Sequence, residues 1–335
     1  MTIDKYDLFY THQYNNLDEL TSEDITYDLF ISAYNNETMV QDVFNHIFSH
    51  KKIWLDLPDY TDVNSSEIEN ITEQIEIYSN STINIEDNDL ESHFIKVFFE
   101  QHNIMQYQEK KICIDITGFV KPYMIYLIVA LEYIGFKKFD IIYSEPKVYK
   151  NQEDTEFSEE EIIATRNING FDTRDDENED DLFIINAGYD YRLLINIAGY
   201  KKYVKNKKLL IGFPSLQPIM YQENILNLQK AATELNIDFS FKPLYSSSND
   251  PFDTAKIVKD YILQYIKTHP NLKTIYISPL ATKSQALGLV LFSILEKPFF
   301  DQRNITIKIV YPFTKSYSSS AGKELFKINK YSLEF

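Results

Sequence analysis

The sequence predicts an α/β protein built from two tandem Rossmann-like three-layer halves, related by an internal duplication and a pseudo-two-fold axis. Three observations predict it. Short apolar runs alternate with segments of helical period along most of the chain, the pattern of parallel sheets covered by helices on both faces. Four landmarks recur in order: Asp28-Leu29-Phe30-Ile31 and Asp181-Leu182-Phe183-Ile184, then Lys51–Tyr60 and Lys207–Leu216, then Thr117–Lys121 and Ser278–Lys283, then Ile141–Ser144 and Ile309–Pro312. Their spacing grows steadily from 153 to 168 residues, as small insertions in the second copy would make it. Finally, 335 residues suit two domains of about 150 residues each.

The expected organisation follows from these landmarks. Residues 1–27 form an N-terminal extension and 28–150 the first half. In that half Asp28–Ala33, Lys52–Leu57, Gln74–Tyr78, Lys111–Ile116 and Phe139–Tyr143 read as strands. Thr38–Ser49, with Val40, Val43, Phe44, Ile47 and Phe48 on one face, reads as an amphipathic helix, as do Leu90–His102 and Pro122–Ile134. Residues 151–180 read as an acidic linker, because Asp172, Asp175, Asp176, Glu177, Glu179 and Asp180 crowd together with only Arg174 among them. The second half, 181–315, repeats the pattern. Its strands are Asp181–Asn186, Lys208–Phe213, Asp238–Phe241, Thr274–Ser278 and Thr306–Tyr311. Its helices lie near Arg192–Val204, Tyr221–Leu235, Asp253–Lys267 and Ser284–Leu295. The tail, 316–335, alternates at Phe326, Ile328, Tyr331, Leu333 and Phe335 and predicts a strand or hairpin.

Composition narrows the function. A net charge of −17 opposes binding to duplex nucleic acid, and the lysine pairs are scattered at strand starts. No apolar run reaches the roughly 20 residues that a membrane helix needs, and Met1–Tyr10 does not resemble a secretion signal. One cysteine, Cys113, and no disulfide fit a reducing, cytoplasmic location. No cofactor and no metal are expected. Asp42, His46 and His50 share a helix face without a fourth ligand. There is no P-loop, nucleophile elbow or glycine-rich dinucleotide fingerprint among only 8 glycines. Two strand-end acids, Asp56 and Asp115, align with the non-acidic Gly212 and Tyr276, so catalysis is not the expected role.

Ligands of parallel α/β sheets bind beyond the carboxyl ends of the strands, where helix N-termini favour anions. The turn after the fourth strand is therefore the leading candidate. In the first half it offers Thr117, Gly118 and Lys121, with Pro122 opening the helix. The second half offers Ser278, Thr282 and Lys283. The same residues would also serve as ordinary helix caps. After the first strand, Tyr34 and Asn35 in one half and Asn186, Gly188 and Tyr189 in the other could hydrogen-bond or stack on a polar ring, or simply make turns. The helices 122–134 and 284–295 are apolar nearly all round. Both therefore need cover on two sides, from each other or from the terminal extensions, and the first arrangement would place Lys121 and Lys283 about one central cleft.

These features resemble the CRISPR-associated Rossmann-like sensors and the fused SAVED modules of related anti-phage systems. Their turn typically reads Thr-Gly-Gly-Thr-Lys-Pro. Residues 117–122 keep the first Thr, the first Gly, Lys and Pro; residues 278–283 keep the second Thr and the Lys and lose both glycines. The resemblance implies a sensor that binds a cyclic oligonucleotide or a similar small anionic nucleotide-like ligand between its halves and signals to a separate effector protein. The alternative is a non-catalytic adaptor or structural subunit of a protein complex that has lost its ligand.

Overall fold

The structure, a computed structural model, describes residues 4–60, 74–79, 89–149, 162–171, 178–235, 242–315, 317 and 322–335. Within these the strands are β1 (Tyr10–Tyr14), β2 (Leu29–Ala33), β3 (Lys52–Asp56), β4 (Ile75–Ser79), β5 (Ile112–Asp115), β6 (Lys138–Tyr149), β7 (Ile162–Asn167), β8 (Leu182–Ala187), β9 (Asn206–Gly212), β10 (Leu244–Ser246), β11 (Thr274–Pro279), β12 (Thr306–Thr314) and β13 (Gly322–Glu334). The helices are α1 (Leu17–Thr21), α2 (Thr38–His46), α3 (Leu90–Gln101), α4 (Lys121–Tyr133), α5 (Tyr191–Gly199), α6 (Pro218–Leu235), α7 (Pro251–Thr268), α8 (Lys283–Leu295) and α9 (Lys297–Asp301). The expected strand at 238–241 and the acidic run 172–177 lie outside the described residues.

The chain forms two compact units, each with its own sheet. Residues 8–161 and 315–335 make the first unit; residues 1–7 and 162–314 make the second. The first sheet has the order β1-β13-β6-β5-β2-β3-β4 and the second β10-β9-β8-β11-β12-β7. In the first, β4, β3, β2, β5 and β6 run parallel; β13 pairs antiparallel with β6, and β1 with β13. In the second, β10, β9, β8, β11 and β12 run parallel, and β7 pairs antiparallel with β12. Both are doubly wound, Rossmann-like arrangements whose chain order reverses between β2 and β5, and between β8 and β11. Those two gaps are the topological switch points at which such sheets bind ligands.

Local chemistry explains the elements. β2 and β8 are buried along their whole length and apolar apart from Ser32 and Asn186, as suits central strands covered on both faces. α2 turns Met39, Val40, Val43 and Phe44 inward, and Phe44 stacks on Trp54 with ring centres 3.6 Å apart. The aspartate before each first strand caps the start of the fourth: Asp28 accepts from Lys111 N–H at 3.0 Å, and Asp181 from Lys273 and Thr274 N–H at 3.1 and 2.8 Å. The lysine opening each second strand reaches the last carbonyls of the preceding helix. Lys52 donates to Phe44 and Asn45, and Lys207 to Ala198 and Tyr200, where the helix dipole favours a cation.

Strand register corrects the correspondence by a residue or two. Phe30 pairs with Lys52 and Phe183 with Lys207, so Lys52 answers to Lys207. Asp56 then answers to Ile211, and Leu57 to Gly212. Ser32 pairs with Asp115 and Ile185 with Ser278, so Asp115 answers to Ser278 and not to Tyr276.

The segments expected to flank the two halves carry structure of their own. Within 151–180, read as a linker, residues 162–167 form β7. Within 316–335, residues 322–334 form β13, which pairs along almost the whole of β6. At the other terminus Tyr6 is buried in the second unit and donates to Glu296 at 3.1 Å. Lys259 bridges Asp4 at 3.0 Å and Glu296 at 3.4 Å.

Candidate functional site

The carboxyl ends of the two sheets are built differently. At the first, the predicted residues close on themselves. The Thr117 backbone N–H and hydroxyl both donate to Asp115 Oδ1, at 2.9 and 2.5 Å, and the hydroxyl accepts from Ser144 N–H at 2.9 Å. Asp115 also accepts from Ser32 at 3.3 Å. Gly118 is needed for contact, since a Cβ there would stand 2.0 Å from the Ala33 carbonyl oxygen across the switch point. Tyr60 donates to the Gly118 carbonyl at 2.8 Å, and Tyr123 to the buried Asp59. Burial beside that carboxylate pushes the Tyr123 hydroxyl well above its ordinary pKa. Tyr34 packs edge-on against Trp54 in the core, and Asn35 accepts from Glu37 N–H at 3.1 Å in its turn. Lys121 opens α4 half-buried, and Val120 makes no side-chain cap for that helix.

At the second sheet the predicted residues Asn186, Gly188, Ser278 and Thr282 come together about the β8/β11 switch point. Asn186 pairs with Pro279 in the ladder, and its carbonyl accepts from Leu280 N–H at 3.1 Å. Gly188 lies against the Leu280 carbonyl oxygen, which a Cβ would approach to 2.3 Å. The contact is the same as in the first sheet, but the glycine sits on the opposite loop. Thr282 caps α8 by accepting from Gln285 N–H at 3.1 Å, and donates to the Ser248 carbonyl at 2.6 Å. Lys283 is half-buried at the first helical position, and Tyr189 is half-buried in the turn after β8.

Around these lies a set of buried polar groups that sequence reasoning missed. Ser246 Oγ accepts from Thr254 at 3.0 Å and from Gln285 Nε2 at 2.9 Å. Asn224, on α6, donates to the Ala187 carbonyl at 3.1 Å. Asn186 Oδ1, Asn224 Oδ1, Ser278 Oγ and Gln285 Oε1 are buried and accept no hydrogen bond from the protein. Buried polar groups are nearly always paired, so four such atoms along the carboxyl ends of one sheet set this region apart. Gln285 looked like one more residue of an apolar helix, and no local signal marked it.

Elsewhere, a concavity of about 520 Å³ at the β4 edge of the first unit includes Lys51, Glu76 and His102 in its lining. Its charges satisfy one another: Glu76 binds Lys51 at 2.7 Å and His102 at 2.8 Å. Burial holds His102 below its ordinary pKa, against the pull of Glu76. Among the described residues no cluster of His, Cys, Asp and Glu is placed to hold a metal ion, and no helix is long and apolar enough to cross a membrane. Cys113 is buried, and burial pushes its thiol well above the ordinary value, which opposes a nucleophilic role. Comparison with protein-family models and with curated proteins finds no match.

Proposed function

We propose that this protein is a cytoplasmic sensor. It binds a small anionic nucleotide-like ligand at the carboxyl ends of its Rossmann-like sheets and reports that binding to a separate effector protein, in the manner of the anti-phage sensors whose turns its own resemble. The observation that carries the reading is the group of unpaired buried acceptors and hydroxyls at the β8/β11 switch point, where Asn186 and Ser278 stand beside the Lys283 end of α8. Lys283 and Lys121 supply cations at helix starts, where anions are favoured. Thr117 and Thr282 act in this reading by holding the loops, because their hydroxyls are already engaged.

The test is thermal stabilisation by linear and cyclic di- and oligonucleotides, compared in wild type, Lys121→Ala and Lys283→Ala. A ligand at 100 times its dissociation constant stabilises the folded state by about 2.7 kcal/mol, so a real ligand gives a shift of several degrees that a lysine substitution reduces. No shift with any of these compounds would sink the proposal. The adaptor reading gains from the closed first sheet, whose Thr117, Gly118, Tyr34 and Asn35 all serve the fold. It predicts a co-purifying partner whose binding neither lysine substitution alters.

A further inference from the structure

One edge of the first sheet is open to a further strand. β1 is the outermost strand there, and it pairs with β13 at five successive positions without a shift of register. Among the described residues its backbone bonds to nothing else. Tyr10, Thr11, His12 and Gln13 are all exposed, Tyr10 at 68%. Edge strands are ordinarily guarded by a charge, a proline, a bulge or brevity. The other edges follow that rule: β4 carries Glu76, β7 carries Arg166, and β10 is three residues long. β1 reads Tyr-Thr-His-Gln-Tyr, with neither an acid, a lysine or arginine, nor a proline, and Tyr and Thr favour strands. Lys330, opposite His12 in the ladder, is neutralised by Glu23.

The strand is also its own antiparallel complement. Reversed about His12, it sets Tyr10 opposite Tyr14 and Thr11 opposite Gln13. Alternate residues of a strand share a face, and His12 and Tyr14 already lie stacked, with ring centres 6.4 Å apart and planes at 16°. We propose that two copies of this protein pair β1 with β1, antiparallel about a two-fold axis at His12, and so join their first sheets into one. One face of the pair then carries an aromatic ladder, Tyr10 of each copy beside Tyr14 of the other. The other face sets the Thr11 hydroxyl beside the Gln13 amide, and cross-strand pairs of both kinds are favourable. The interface is isologous, as closed dimers require, and it supplies about four to six backbone hydrogen bonds. A partner strand of another protein would have no need of this palindrome. Two five-residue strands bury less than about 1,200 Å², and copies of net charge −17 repel at long range, so the dimer forms at micromolar concentration. It involves neither lysine of the proposed ligand site.

The experiment uses the full-length protein. Sedimentation velocity over a hundredfold range of concentration should show a reversible monomer–dimer equilibrium, and a monomer throughout would overturn the proposal. Disulfide trapping then reads the register. Cys113 is buried, so wild type is the blank. In the dimer residue 12 faces its own copy at about 5 Å between Cβ atoms, near disulfide distance, whereas the two copies of residue 10 lie about 14 Å apart. Both residues are exposed, so both cysteine variants fold. His12→Cys should cross-link at least tenfold faster than Tyr10→Cys; equal rates, or the reverse order, would overturn the pairing. Thr11→Lys combined with Gln13→Lys sets like charges opposite each other and should weaken the dimer at least tenfold. Thr11→Lys combined with Gln13→Glu sets opposite charges there and should keep it. If both combinations weaken it alike, the register about His12 is wrong.

Discussion

Gly118→Ala separates a glycine kept for ligand approach from a glycine kept for packing. The added Cβ would lie 2.0 Å from the Ala33 carbonyl oxygen, 3.0 Å from its carbon and 3.3 Å from Val40 Cγ1. Relief requires more than an ångström of movement between two backbone segments. Neither is loose. Tyr34 N–H, immediately after Ala33, donates to Leu55 at 2.9 Å, and Tyr60 holds the Gly118 carbonyl at 2.8 Å. Overpacking a core ordinarily costs about 1–3 kcal/mol, and a backbone-on-backbone clash belongs at the top of that range. A loss of about 3 kcal/mol is a large part of the 5–15 kcal/mol that holds a typical domain together. Urea unfolding followed by fluorescence of Trp54, the only tryptophan in the chain and part of the first unit's core, reads the effect directly. Lys121→Ala, a few residues on, serves as control and should change stability by less than about 0.5 kcal/mol. A Gly118→Ala protein that loses under 1 kcal/mol would refute the packing argument. Gly188→Ala, with its 2.3 Å approach to Leu280, should behave alike in the second unit.

Three further outcomes are expected. Asp181→Ala leaves the N–H groups of Lys273 and Thr274 without their acceptor; at about 1–3 kcal/mol for the buried Thr274 group, its amide exchange should accelerate at least tenfold. Burial lowers the Lys52 ammonium to about 8 from an ordinary 10.5. Between those values the unfolded chain holds more protons, so the Lys52 contribution to stability rises with pH from about 8 to 10.5; Lys52→Met should flatten that part of the stability profile relative to wild type. Tyr6→Phe should cost about 1–2 kcal/mol for the lost hydrogen bond to Glu296, and Tyr6→Ala about 3 kcal/mol or more for the lost packing as well, both measured by thermal unfolding.

The elements of each sheet were legible because buried parallel strands leave continuous apolar runs. Leu29–Ala33 and Leu182–Ala187 differ by one residue or less at either end from the segments expected of them. The paired aspartates and lysines were visible as repeats, but their purpose was not, since capping a distant strand start or a helix end depends on register. Acidic composition hid β7, because the acidic residues around it dominate any window that includes it. The glycine contacts were opaque for another reason. One close approach can be relieved from either side, so Gly118 and Gly188 need not align, and they do not. The hydroxyls of Thr117 and Thr282 were found as a recurring residue type, yet they serve as internal struts, a role that spacing cannot tell from a ligand contact.

Matched positions explain how the two sheet ends differ, though the Ser144 hydroxyl beside Thr117 at the first end is also buried without a partner. Asp115 answers to Ser278: the carboxylate gathers Ser32 and Thr117 about itself, whereas the shorter serine leaves its hydroxyl without a protein partner. Tyr123 answers to Gln285 at the same point of the first helical turn. The tyrosine finds Asp59, while Gln285 spends its amide nitrogen on Ser246 and keeps its oxygen unpaired. Leu57, buried, answers to Gly212, over which the Ser248 hydroxyl and the Gln285 amide pack instead. Beyond them Pro58 answers to the exposed ring of Phe213. Each difference alone is ordinary between two α/β cores. Together they leave Ser278 Oγ and Gln285 Oε1 unpaired at the second end, whereas the matched Asp115 and Tyr123 of the first are engaged. Stability would not favour that exchange, because buried groups without partners cost free energy. A bound ligand that pairs with them is a sufficient reason for their presence, and Gln285→Met is the corresponding check: if filling the site with an apolar chain raises the melting temperature while stabilisation by nucleotides is lost, the unpaired amide is kept for a ligand and not for the fold.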